Sequence, residues 1–168
     1  EVLGGNGAIE SFSILPRLYR DMVVLESWEG THNVLCLQVI RDIARYGIHE
    51  PFFADMQSKL GAISHADLLP YVEIVQSALE RAMTMLQKMS SGGESFAQAH
   101  ARRFVDLLSS ITQATLLLTE AQWELDQSLA TFKPYVIAYF VNKHLHTGYD
   151  PLNDDAYLGR LEHLVTAI

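Results

Sequence analysis

ESFAQAHARRFVDLLSSITQATLLLTEAQWELDQSL, residues 94–129, is the stretch on which the fold turns. Within it Phe104, Leu108, Ile111, Thr115, Leu118, Gln122, Leu125 and Leu129 alternate steps of four and three for over three heptads. That is the period of one helix face, and such a stripe needs partner helices to cover it. Upstream, Ser90-Ser91-Gly92-Gly93 breaks the pattern. Before the break, Leu68, Val72, Val75, Leu79, Ala82, Leu86 and Met89 keep the same stride, which predicts a helix from Asp67 to Met89. Asp67 suits its N-cap, and Pro70 is tolerated in a first turn. Further out, Val34, Leu37, Ile40 and Ile43 predict a helix from Thr31 to Tyr46, with Thr31 as cap, Gly47 as stop and Pro51 soon after. Downstream, Pro134 restarts a helix that reaches about His146, and a last helix runs from about Asp154 to Val165. No window alternates convincingly with period two. The expected fold is all-α, a helical bundle.

The 168 residues are 49% apolar and 19% charged, the balance of a folded chain rather than a disordered one. Twelve Lys and Arg stand against twenty Asp and Glu, a net charge of −8. Four basic and six acidic residues fall within residues 1–48, so the remainder carries −6. Such a chain repels a polyanion on average, and nucleic acid is not the expected partner. The single cysteine, Cys36, excludes an internal disulfide and any CxxC metal site. No apolar run reaches the roughly 18 residues of a membrane span. The chain opens at Glu1 without Met, basic leader or cleavage pattern and enters a glycine turn at once. It reads as a fragment of a longer, cytoplasmic protein.

Residues 3–33 do not look like a bundle. Leu3-Gly4-Gly5-Asn6-Gly7 is followed by Leu15-Pro16-Arg17-Leu18-Tyr19-Arg20-Asp21 and then by Trp28-Glu29-Gly30-Thr31. A glycine turn with free N–H groups can hold a phosphate, and equally can be a plain interhelical turn. Glu29 precedes a glycine and a predicted helix start. Desolvated by Trp28 and apolar neighbours, its proton affinity rises toward that of a general base; left in water, it is a capping-region carboxylate.

Taken together, in this order and at this spacing, the three motifs resemble the C-terminal end of acyl-CoA dehydrogenases, over roughly residues 1–46. The variant Leu-Pro-Arg-Leu-Tyr-Arg with Trp-Glu-Gly is most similar to the AidB-like branch, as is the long helical tail. The resemblance implies FAD as cofactor, an acyl-CoA thioester as substrate, an unidentified electron acceptor and a homo-oligomeric intact chain. It implies that Glu29 is the base that removes the α-proton. It places Leu3, Gly4 and Gly5 on the stretch that reaches across a subunit interface to the FAD pyrophosphate. Thr31 and Asn33 match the positions that contact the flavin nucleotide. The family usually has Gln where this chain has Glu1, which leaves Glu1 outside the site. Arg20 and Asp21 match a recurrent pair, read as structural. Residues 1–47 are then the end of the dehydrogenase helical domain and residues 48–168 an appended helical bundle. The alternative function is an AidB-like protein whose bundle serves binding or assembly with little dehydrogenase turnover.

The remaining chemistry-bearing residues have plainer readings. His144 and His146 point to different faces of a helix, and with His163 they lack metal-ligand spacing. Cys36 reads as a small buried hydrophobe. Trp123 reads as a core or interface anchor, and Met83, Met85 and Met89 as core. Whether the bundle carries a basic face depends on where Arg81, Lys88, Arg102, Arg103, Lys133 and Lys143 fall.

Overall fold

The computed structural model describes residues 3–28, 30–129 and 131–166, with the backbone alone for residues 27 and 166. Among the described residues the chain is all-α and has no strand. Its helices are α1 (Leu15–Ser27), α2 (His32–Tyr46), α3 (His49–Gly61), α4 (Leu69–Ser91), α5 (Glu94–Asp126), α6 (Lys133–His144) and α7 (Tyr157–Thr166). Two 3₁₀ turns, Gly4–Ala8 and Pro151–Asn153, precede α1 and α7.

The stripe of residues 94–129 is the axis of the molecule. Helices α2, α3, α4 and α6 all pack on α5, whose 33 residues reach about 50 Å at the α-helical rise. Phe104, Ile111, Ala114, Leu118 and Ala121 are fully buried along it. They meet Leu68, Val75, Leu79 and Ala82 from the α4 side, and Ile137, Val141 and Leu145 from the α6 side, in one core. Both α4 and α5 bury alanines, Ala78 and Ala82 on one and Ala114 and Ala121 on the other, and small buried residues let helices pack closely.

Several helix ends differ from expectation. Helices α1 and α3 were not anticipated from the apolar spacing. Helix α4 starts at Leu69, with fully buried Leu68 in the capping position and no side-chain cap. Asp67 is therefore not the cap; its carboxylate lies 3.8 Å from His65 Nδ1. Helix α5 stops at Asp126, because Ser128 turns to φ 55° and Leu129 swings out to 48% exposure. Trp123 is 59% exposed and belongs to no core. Met89 is buried, while Met83 and Met85 are half-buried against the same cluster.

The hairpin between α4 and α5 is tight. Gly92 N–H donates to Lys88 O at 2.9 Å, and a Cβ on Gly92 would lie 2.6 Å from Phe96 Cδ1. Only glycine leaves Phe96 its place.

Three polar ties fasten the periphery. Gln122, buried on α5, accepts at Oε1 from the N–H groups of Ser64 (2.8 Å) and His65 (2.9 Å). Its Nε2 donates to Asp126 Oδ1 at 2.7 Å. The α3–α4 loop is thus bonded to the central helix. Lys133, at the start of α6, sits 2.5 Å from both Glu120 and Glu124 of α5. Those contacts raise the Lys133 pKa and lower that of Glu124. Finally Tyr149, Asp154 and Arg160 bind one another, and Tyr135 stacks on His163 at 4.4 Å, which holds α7 against α6. The Tyr149 hydroxyl and then the Arg160 guanidinium hold the Asp154 carboxyl below its ordinary pKa.

Candidate functional site

The glycine run folds as the first 3₁₀ turn, with Leu3 in its capping position and exposed. Gly4 has φ 55°, a backbone that side-chain-bearing residues rarely adopt. A Cβ on Gly4 or Gly5 would meet nothing within 4 Å. Among the described residues, the side of each glycine where a Cβ would stand is open space.

The turn packs on α1 across a cleft of about 930 Å³ bordered by Leu15, Leu18, Tyr19 and Met22. Pro16 occupies the first turn of α1, where its missing N–H costs no helical bond. Arg20 reaches back to Glu10 at 2.7 Å, and Asp21 lies 3.9 Å from Arg17. The Arg20–Asp21 pair is therefore not an ion pair with itself; Arg20 ties α1 to the loop that follows the 3₁₀ turn.

After α1 the chain turns through Gly30, whose φ of 119° suits glycine alone. Thr31 then stands in the N-cap position of α2 with extended backbone (φ −66°, ψ 155°). Its carbonyl accepts from Leu35 N–H at 3.1 Å, but its hydroxyl makes no capping bond. Asn33 is exposed in the first turn. Among the described residues, the α2 N-terminus thus keeps N–H groups that no side chain caps, next to an exposed hydroxyl and amide. Glu1 and Glu29 lie outside the described residues. Trp28, beside Glu29, is 74% exposed. One element, α1, links the two groups of site residues: the 3₁₀ turn packs on its flank, and Thr31 and Asn33 follow its end.

Elsewhere, Cys36 is buried on α2, and burial pushes its thiol pKa up. His144 packs on Phe140 and His146 on Tyr149, apart from His163 on Tyr135. No group of three or more His, Cys, Asp or Glu among the described residues could hold a metal ion. No helix among them is long and apolar enough to cross a membrane. Of the eight cations of the bundle, Lys59 pairs with Asp55 and Arg160 with Asp154, and Arg102 is bound through Nε to both Asp106 oxygens, at 2.8 Å each. Lys133 lies between two glutamates, and Lys143 sits 5.4 Å over the Tyr139 ring. Arg81, Lys88 and Arg103 border one groove between α4 and α5. In the sequence Gln122 falls on an apolar stripe, and its break with that stripe's chemistry is the signal of its bonding role.

Comparison with known proteins matches residues 1–44 to the family described as acyl-CoA dehydrogenase, C-terminal domain. Residues 48–139 match the family described as acyl-CoA dehydrogenase 11 C-terminal domain-like. The chain is similar to acyl-CoA dehydrogenase family member 11 of Caenorhabditis elegans, at 33% identity over 145 residues, 83% of this chain and 23% of that protein. It is also similar to the putative acyl-CoA dehydrogenase AidB of Escherichia coli (strain K12), at 58% identity over 41 residues, 24% of this chain and 7% of that one. The chain spans less than a quarter of the length of either relative. No solved structure matches the chain.

Proposed function

The chain belongs to the acyl-CoA dehydrogenase family, and on that footing we propose that it is the C-terminal part of an FAD-dependent enzyme that dehydrogenates an acyl-CoA thioester between its α and β carbons. Residues 1–47 close the dehydrogenase helical domain, and residues 48–168 add a bundle fastened to it where α2 lies on α5. The observation that carries the reading is the match of residues 1–44, which includes Glu29 and both groups of cofactor residues, to the family's C-terminal domain.

The described residues suit an FAD diphosphate. Gly4 and Gly5 leave their backbone bare beside open space, and the α2 N-terminus offers N–H groups that its own Thr31 does not cap. Leu3, Gly4 and Gly5 would hold the cofactor of a neighbouring subunit in a homo-oligomer, and Thr31 and Asn33 that of their own. Bound FAD would supply the hydride acceptor for the β-carbon.

Glu29 takes the α-proton. That proton is weakly acidic even beside a thioester, so the carboxylate must be dry and the carbonyl polarised, the latter by the backbone N–H of Glu29. With Trp28 exposed in this chain, the walls that dry the carboxylate come from further polypeptide, in line with the share of the relatives that the chain covers.

The test uses the intact parent protein. It should carry flavin that acyl-CoA thioesters bleach. Glu29→Gln should keep its flavin and slow anaerobic flavin reduction by about 10²–10⁴-fold in stopped flow. A rate within about threefold of the unmodified protein removes Glu29 as the base.

A further inference from the structure

We propose that the groove between α4 and α5 is a binding site for a small phosphorylated molecule. The hairpin at Gly92–Gly93 sets the two helices antiparallel, with Arg81 and Arg103 about equally far from the turn and Lys88 nearer to it. All three border a groove of about 720 Å³, the size of a small-molecule site, together with His100 and His144.

The charge there departs from the rest of the chain. Two carboxylates, Glu80 and Asp106, also border the groove, but both oxygens of Asp106 are taken by Arg102. Lys88 and Arg103 have no acidic partner among the described residues. Arg81 is half-buried and held in place: its guanidinium donates to Leu145 O at 2.7 Å and to Ser77 Oγ at 3.4 Å. Two of its five N–H groups are thereby used and the others stay available. A fixed guanidinium with two free cations across a shallow groove meets the needs of a phosphate, which is bound by several charge-assisted hydrogen bonds at once.

Met85, Met89, Phe96 and Leu107 add apolar surface to the lining of the groove, which suits the body of a small ligand. A nucleic acid would need cations to continue along the molecule. They do not: Arg102, Lys133 and Lys143 are each engaged elsewhere, and residues 49–168 carry −6. The cations are therefore local, and the site is of small-molecule size.

Isothermal titration of the full chain with sodium pyrophosphate, at fixed ionic strength, tests this. We expect saturable binding that the double variant Lys88→Gln, Arg103→Gln weakens by about tenfold or more, since charge-assisted bonds are lost. Both side chains are exposed, and the unfolding temperature should not move; Arg17→Gln should leave binding as it was. In parallel, pyrophosphate should shift the ring resonances of His100 and His144 in NMR spectra, and leave that of His65, on the α3–α4 loop, in place. Absence of saturation, equal binding by the double variant, or unmoved His100 and His144 resonances would overturn the proposal. So would a DNA duplex that binds more tightly than pyrophosphate with a steep loss in salt, which would make the groove a nucleic-acid surface.

Discussion

Residues 3–35 and residues 36–145 are both rich in large apolar side chains, yet the first region exposes every one that is described and the second buries or half-buries most of its own. Leu18, Met22 and Leu25 repeat at helical spacing along α1 as regularly as Ile111, Ala114 and Leu118 do along α5. The difference lies in what surrounds them. Helix α5 has four helices against it, whereas α1 packs mainly on a 3₁₀ turn. Periodicity thus announces a face that needs covering; it does not say that the covering helix is in the same stretch of chain. In the proposed reading, the rest of the dehydrogenase domain and neighbouring subunits cover α1.

The contrast makes measurable claims. Phe104→Ala removes a fully buried ring from the centre of α5 and should cost about 3–5 kcal/mol, a fall in unfolding temperature on the order of 10 °C. Trp28→Ala, which removes a larger ring from the exposed region, should stay within about 0.5 kcal/mol in the same denaturation experiment. Comparable losses from the two would end the distinction between the regions. Gln122→Leu keeps the volume but leaves the N–H groups of Ser64 and His65 without an acceptor, at about 1–3 kcal/mol. A neutral result would show that water serves those groups as well as the amide does.

The smallest effect concerns α7. Asp154 is held below its ordinary pKa, so its contribution to stability is complete above the unfolded value near 4 and fades as pH falls through the lower folded value. Acid titration followed by Tyr149 fluorescence should therefore show α7 loosening below about pH 4 before the core unfolds. Asp154→Asn should flatten that step and leave the unfolding of the core unchanged.

The sequence made the bundle legible where polar and apolar residues alternate at a steady stride over many turns, as in α4 and α5. It hid α3 because Pro51 reads as a stop, although it falls in that helix's first turn, where no N–H is required. It hid α1 because glycine and proline motifs drew the eye from the spacing of Leu15, Leu18, Met22 and Leu25. The stripe also ran past its helix: Leu129 fits the stride, but Ser128 has already turned the chain away. The site was legible as three linked motifs and not as geometry, since its described parts are exposed and, in the proposed reading, complete the site only with groups outside these 168 residues. The α4–α5 groove was beyond reach for another reason. Its cations are dispersed in sequence, and only an antiparallel hairpin assembles them.

Gln122 has one more consequence. Because two backbone N–H groups donate to one side-chain atom, that atom must be the amide oxygen, and the orientation of the side chain is settled by chemistry. Amide protons in a loop ordinarily exchange with solvent deuterium through small local openings. Those of Ser64 and His65 can exchange only when Gln122 lets go, and Gln122 is buried on the central helix. Two loop amides should therefore exchange on the slow clock of α5, and their rates would report the stability of the core from a position at its edge.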